Sequence, residues 1–368
     1  MKLLQIERDA LLTPLHAVTG IVEKRHTLPI LSNVLLERKQ ERLHLVATDL
    51  EIQVSTACEA GKGAGDQNLT VSARKLQDIL RSLPEGTEVV LDAQNSRLQV
   101  KAGRSRFNLQ TLPAADFPLL GDAGVPLAKV TLPQKALRDL LLLVQFSMAQ
   151  QDIRYYLNGM LLVLEGTNMR VIATDGHRLS YASGTVSKQD EKREVILPRK
   201  AVLELGRLLS DDEQPVDIEM YAAQVRFRFG SIELTTKIID GKFPDYTRVI
   251  PTNYQKHITL NRMQLLQALQ RAAILSNEKF RGVRWMLAGG SLRISCTNNE
   301  QEEAQEELEI EYAGEALDVG FNITYLLDVL NNVSAEKIDC AFGDANSSML
   351  ITLPQREDYR YVVMPMRI

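Results

Sequence analysis

The stretch Ala173-Thr174-Asp175-Gly176-His177-Arg178-Leu179 has an echo at Val46-Ala47-Thr48-Asp49-Leu50 and a weaker one at Ser295-Cys296-Thr297-Asn298-Asn299. The threonines fall at 48, 174 and 297, which are 126 and 123 residues apart. Solenoid units are shorter, roughly 20–50 residues. A period this long is a whole small domain used three times, and the 368-residue chain has room for three. Other positions keep the step: Phe117-Pro118 and Phe243-Pro244 are 126 apart, and the Arg-Lys pairs ending at Lys75 and Lys200 are 125 apart. Domains are expected at 1–125, 126–251 and 252–368.

Each copy reads as helix, strands, helix, strands. Apolar residues at helical spacing predict a helix over 11–22 (Leu11, Leu12, Leu15, Val18, Val22) and another over 73–83 (Leu76, Ile79, Leu80, Leu83). Further helices are predicted over 134–146, from Arg199 onward, over 263–275 and over 324–333. Pro14 is read as a first-turn proline and Ser72 as an N-cap. Period-two segments lie between them, such as Leu43, Leu45, Ala47 and Val225, Phe227, Phe229. Gly61-Lys62-Gly63-Ala64-Gly65 lacks the Gly-Lys-Ser/Thr ending of a phosphate loop and reads as a hairpin connection. The regular switch between the two periods indicates an α+β class: three tandem like-folded domains, each two helices plus antiparallel sheets, rather than a parallel βαβ array.

The chain is 45% apolar and 24% charged with net charge −4, ordinary values for globular protein. That argues against retention on nucleic acid by bulk basic charge alone. The distribution is less even than the sum. The predicted helices carry Arg74, Lys75, Arg81, Lys135, Arg138, Arg199, Lys200, Arg207, Arg262 and Arg271. Acid collects in Glu300-Gln301-Glu302-Glu303-Ala304-Gln305-Glu306-Glu307. The helix cations either solvate outer faces or form a repeated surface toward phosphates, whose weak contacts would let a protein slide. The acidic run is either a solvated strand edge or half of a heterologous interface. As an interface, Glu300, Glu302, Glu303 and Glu306 would meet Lys75, Arg97, Arg104 and Arg106 of another subunit. Phe107 and Leu109 would be apolar companions on one side, Ile274 and Leu275 on the other. A head-to-tail contact that closes after two subunits makes a ring with two equal interfaces.

Cys58, Cys296 and Cys340 are far apart and make no CxxC, the pattern of reduced thiols in a cytosolic protein. Charge at Glu7-Arg8-Asp9 interrupts any signal-peptide core, and apolar runs such as 140–144 are too short to cross a bilayer. A cytoplasmic protein is expected. His177 beside Asp175 and Ser180 invites a hydrolase reading, but successive strand residues point to opposite faces and the third copy has Asn298 in place of the acid. No Gly-x-Ser-x-Gly, HExxH or paired-cysteine metal motif is present, so no catalytic residue, metal or cofactor is expected. Asp49 and Asp175 are read as turn residues whose carboxylates bind backbone N–H groups.

Several separated runs resemble the bacterial DNA polymerase III beta subunit family, the sliding clamps. They are Thr27-Leu28-Pro29-Ile30-Leu31, Thr111-Leu112-Pro113-Ala114-Ala115-Asp116-Phe117-Pro118, Gln145-Phe146-Ser147-Met148-Ala149 and Arg154-Tyr155-Tyr156-Leu157-Asn158-Gly159. The marker at 173–179, the segment 273–283 and Tyr361-Val362-Val363-Met364-Pro365-Met366-Arg367 complete the set, which spans essentially the whole chain. The resemblance implies a head-to-tail homodimer, a six-domain ring whose twelve helices line a central hole. It implies a non-enzymatic role: enclosing double-stranded DNA without sequence preference and tethering replication proteins for processivity. Implied partners are the DNA polymerase III alpha subunit, the clamp loader, and other polymerases and repair proteins that insert short peptides with leucine or phenylalanine anchors.

By that resemblance the peptide pocket falls on Arg154, Leu157, Thr174, Gly176, His177, Arg178 and Leu179, with Pro244, Arg248 and Val249. Ser348, Val362, Met364, Pro365, Met366 and Arg367 complete it, an adaptable apolar cup with arginines for polar peptide atoms. The DNA-contacting positions fall on Arg25, Arg74, Gln150, Gln151, Tyr155, Tyr156, Arg199 and Lys200. The segment 21–26 departs from the glycine-rich loop expected there and puts Glu23 near Arg25.

Overall fold

The threonine–acid marker repeats as backbone geometry as well as sequence. The computed structural model describes residues 2–23, 28–63, 65–354 and 356–368. In it Thr48 Oγ1 donates to the Ile52 carbonyl at 2.9 Å and accepts the Leu50 N–H at 3.0 Å. Thr174 repeats both bonds with Arg178 at 2.6 Å and Gly176 at 3.0 Å. Asp49 Oδ1 accepts the amides of Glu51 and Ile52, and Asp175 Oδ1 those of His177 and Arg178. In the third copy Asn298 Oδ1 accepts the amides of Glu300 and Glu302. A short side-chain acceptor thus replaces ladder partners at a strand turn, which is why threonine and Asp/Asn recur there.

The same turn needs a positive φ, 89° at Gly176 and 77° at Leu50. A Cβ at Gly176 would also stand 3.0 Å from the Arg154 guanidinium. Gly176→Ala is therefore expected to cost about 1–2 kcal/mol. The check is the thermal midpoint, which should fall; an unchanged midpoint would show that the turn relaxes.

Among the described residues six α-helices follow in order: α1 Arg8–Thr19, α2 Ala73–Ser82, α3 Gln134–Val144, α4 Arg199–Leu208, α5 Arg262–Ala273 and α6 Ile323–Asn332. Each begins where a strand ends, as in Gln67–Ser72 before α2 and Leu317–Asn322 before α6. Asn261 and Asn322 cap α5 and α6 by accepting the amides of Gln264 and Thr324. Ser72 holds the N-cap position of α2 but makes no side-chain cap bond. α1 starts three residues before the expected position, so Pro14 lies inside the helix rather than in its first turn. The missing N–H leaves the Ala10 carbonyl without its helical donor.

The chain divides into two compact units, Met1–Arg138 with Leu203–Ile238, and Asp139–Val202 with Ile239–Ile368. In the first, one twelve-stranded sheet runs from Lys2–Glu7 at one edge to Ala128–Pro133 at the other. Leu11, Leu15 and Val18 of α1 and Leu76 and Leu80 of α2 are fully buried. The second unit holds a six-stranded sheet with Gly159–Thr174 and Lys256–Asn261 at its edges. Its other sheet has four strands, with Glu303–Glu309 and Leu317–Asn322 as edges. Trp285 is fully buried there, edge-on to Phe321 at 5.8 Å.

Every pairing between named strands is antiparallel, as the period-two segments imply, and sheets run across the repeat boundaries. The strand after the first marker, Ile52–Glu59, pairs with Ile232–Lys237, the last strand of the second copy. The strand after the second marker, Arg178–Pro198, pairs with Arg356–Val363, the last strand of the third. The strand after the third marker, Glu303–Glu309, is a sheet edge. In the first copy's last strand, Ser105–Leu112, only Thr111 and Leu112 pair with Gln67–Ser72. Its residues 105–110 have a strand partner, Arg97–Ala102, on one side alone among the described residues.

Candidate partner-peptide site

Within the second unit, the pairing of Arg178–Pro198 with Arg356–Val363 sets Leu179 opposite Val362, so both face the same side of the sheet. The Met364 N–H, one residue past the strand, donates to the His177 carbonyl at 2.9 Å. Two short 3-10 turns, Tyr155–Leu157 and Tyr246–Arg248, bring up Tyr156, Leu157 and Tyr246. Together with Phe243, Pro244 and Val249 these residues enclose a cavity of about 240 Å³. It has room for an anchoring side chain or two, below the size of a pocket for a whole small-molecule ligand. Leu179, Phe243 and Val362 also belong to a buried apolar cluster with Leu161, Val163, Ile172 and Ile196, so the floor is part of the packed core.

The polar side of the cavity centres on Arg178, which is 9% exposed. Its Nε donates to Asp175 Oδ2 at 3.1 Å, Nη1 to Asp328 Oδ2 and Nη2 to the Phe146 carbonyl at 2.7 Å. The guanidinium lies 4.5 Å from the Tyr325 ring centre. Burial alone would lower its pKa, but Tyr361 and the carboxylates of Asp328 and Asp175 raise it above the ordinary arginine value. Arg154 sits at the rim, paired with Asp152 at 2.8 Å and bonded to the Asp175 carbonyl at 3.3 Å. The Arg154 hydrogen bonds hold the Asp152 carboxyl down to about 2. Beyond Arg178 and His177 opens a polar cleft of about 600 Å³ that brings together Gln150, Gln151, Asp175, Arg199 and Asp328.

Three domain models of the DNA polymerase III beta subunit match the chain in succession: N-terminal over residues 1–121, central over 131–245 and C-terminal over 247–367. The beta sliding clamp of Pseudomonas aeruginosa is 47% identical over 365 residues, covering 99% of both chains. That of Escherichia coli strain K12 is 45% identical over 363 residues, again covering 99% of each. A crystal structure of the DNA polymerase III subunit beta from Pseudomonas aeruginosa superposes with a TM-score of 0.96 at 46% identity, covering all of both chains. Another Pseudomonas aeruginosa sliding clamp, bound to griselimycin, has a TM-score of 0.95 at 46% identity over 99% of each chain.

The chain belongs to the beta sliding clamp family.

Sliding clamps are processivity factors without catalysis, and the hydrolase reading dissolves accordingly. Ser180 is fully buried with its Oγ 2.6 Å from Ser147 Oγ. Asp175 is spent on backbone amides and Arg178, and His177 stacks on Tyr325. The Cys58 and Cys296 thiols are pushed up to about 11 by burial, away from thiolate chemistry. Among the described residues no group of three or more His, Cys, Asp or Glu side chains is placed to hold a metal, and no helix is long and apolar enough to cross a membrane.

Of the clamp pocket expected from sequence, Arg154, Leu157, Thr174, Gly176, His177, Arg178, Leu179, Pro244, Val249, Val362 and Met364 line the one cavity. Tyr156, Phe243 and Tyr246 line it too and were not anticipated there. Arg248, Ser348, Pro365, Met366 and Arg367 do not line it. Arg248 points to solvent, 86% exposed, beside Asp245. Met366 and Arg367 line a separate cavity of about 330 Å³ with Phe280 and Ile368.

The expected DNA positions divide as well. Arg25 lies outside the described residues. Tyr155 is 58% exposed, Gln150, Gln151 and Arg74 are exposed, and so is Lys75, which was expected at the dimer face. Arg74 donates to the Val22 carbonyl at 2.5 Å, Arg199 to the Met148 carbonyl at 3.1 Å, and Lys200 is half-buried. Burial and then the nearby Arg178 charge lower the Arg199 pKa. Several other helix cations are committed inside the chain: Arg207 to Glu204 and the Ala17 carbonyl, Arg262 to the Leu330 and Ala335 carbonyls, and Lys135 to Asp211.

For the dimer face, Arg97, Arg104, Arg106, Glu300, Glu302 and Glu303 are exposed, Phe107 and Leu275 half-buried, and Leu109 buried. Glu306 turns inward and pairs with Arg271 of α5 at 2.6 Å. Strand alternation explains it, because 304, 306 and 308 face the helix while 303, 305, 307 and 309 face out.

Proposed function

We propose that this chain is one half of a homodimeric ring that encloses double-stranded DNA and holds the DNA polymerase III alpha subunit, the clamp loader and other replication and repair proteins by short peptides. The domains are 1–125, 126–251 and 252–368. The observation that carries the ring is the pattern of strand edges. In two of three repeats, the strand after the marker is completed by the last strand of the next copy. The third such strand, Glu303–Glu309, and the outer part of the first copy's last strand are left over. A second copy supplies both missing partners, and the two joins then close a head-to-tail pair. The charges agree: Arg97, Arg104, Arg106 and Lys75 stand for one side, Glu300, Glu302 and Glu303 for the other. Ile274, 78% exposed at the end of α5, is the apolar residue that such a join would cover.

Enclosure needs no tight site for DNA. Net charge −4 and the commitment of Arg207, Arg262 and Arg271 to internal partners suit a surface that holds DNA loosely and lets it slide. Peptide clients would place a leucine or phenylalanine in the cavity floored by Leu179, Phe243 and Val362 and walled by Met364. Met364→Ala is expected to weaken a short client peptide by about 1–3 kcal/mol while the dimer persists. Fluorescence polarisation with a labelled peptide reads this directly, and full affinity in the variant would remove the cavity from the account. A peptide-binding scaffold without DNA is the rival reading, and DNA retention separates the two.

A further inference from the structure

Gly320 lies on Leu317–Asn322, the edge strand of the four-stranded sheet, and has no positive φ that would require glycine. Space is the reason for it. A Cβ there would stand 2.5 Å from the Met366 carbonyl oxygen and 2.6 Å from the Ile368 side chain. The Met366 N–H donates to the Gly320 carbonyl at 2.9 Å, so the C-terminal tail pairs with that edge. Gly282, on the neighbouring strand, also lies beneath Ile368, with its Cβ position 3.4 Å from that side chain. Residues 364–368 thus run from the six-stranded sheet, where Met364 bonds to His177, to the Leu317–Asn322 edge of the other sheet, where Met366 bonds to Gly320. Met364 lines the peptide cavity and is 47% exposed, so its place depends on where the tail is tied.

We propose that Gly320 is a positioning residue for the partner-peptide site: it seats the C-terminal tail, and the seated tail holds Met364 at the cavity wall. The proposal rests on the reading of that cavity as the client pocket. A tail tied at both ends loses little freedom when a peptide arrives, whereas a tail free beyond Met364 has to be ordered by the peptide.

The test uses the full-length dimer. Gly320→Ala is compared with Gly121→Ala, a glycine with open space around it. Amide hydrogen exchange at Met366 and the methyl NMR signal of Met364 report the tail without any peptide. Peptide affinity reports the site. Gly320→Ala is expected to speed exchange at Met366, shift the Met364 methyl signal and leave that of buried Met349 in place, and weaken peptide binding about tenfold. Gly121→Ala should change none of these. Deleting Ile368 should give the same changes in smaller degree, and it stands in if Gly320→Ala does not fold. An unmoved Met364 signal, or faster exchange with undiminished peptide affinity, would overturn the proposal. Failure of the native dimer to bind peptide would instead strike the pocket reading, with the Met364 and Met366 signals still testing the tail.

Discussion

Arg178→Ala is expected to cost about 3 kcal/mol of stability, near the lower end of what removing one partner from a buried ion pair costs. The guanidinium is 9% exposed and holds Asp175, Asp328 and the Phe146 carbonyl at once. Its loss leaves Asp175, with a side chain 17% exposed, without its cationic partner. Asp328 is 35% exposed and regains some water, which keeps the figure from the upper end. Arg178→Lys should recover less than half, because an ammonium cannot serve three acceptors in one plane. The chain's single tryptophan, Trp285, is buried in the same compact unit, so its fluorescence during urea unfolding reports the loss. A midpoint shift worth less than about 1 kcal/mol would mean that the arginine's partners are solvated and that it does not organise this region.

Ile274→Asp should raise the dimer dissociation constant by about a hundredfold or more, while the chain itself stays folded. The side chain is 78% exposed in the single chain, so a carboxylate there meets water until a partner covers it. Covering it then demands the burial of an unpaired charge next to an edge strand rich in glutamate. Sedimentation equilibrium measures the constant, and circular dichroism checks the fold. A dimer of unchanged strength would place the contact elsewhere and remove the strand-edge argument's apolar half.

The fold was legible where local chemistry decides it. The 126-residue step at Thr48 and Thr174 marks a turn that needs a hydroxyl and a carboxylate, and both make their bonds within four residues. Helix faces were legible for the same reason. Strand extent was not: Gly159–Thr174 and Arg178–Pro198 run 16 and 21 residues. Register shifts on either side of Gly166 let the pair continue past that glycine, and Gly184 pairs in register with Met169. The site was legible only through the family's residues. Tyr156, Phe243 and Tyr246 reach the cavity from two 3-10 turns and a loop, whose directions are set by distant packing. The charge pattern misled in part, because sequence cannot say which cations are already paired. Arg271 with Glu306 joins a residue expected on a DNA surface to one expected in a dimer interface, and neither is free.

Retention on DNA tests the central claim. The protein would be loaded onto a nicked circular duplex with a clamp loader of the same source and ATP, then passed through gel filtration before and after a single restriction cut. Enclosure predicts that it stays on the circle and is lost from the linear form, since a closed ring leaves only over an end. Equal retention on circle and linear DNA would mean ordinary surface binding, and the ring would be wrong.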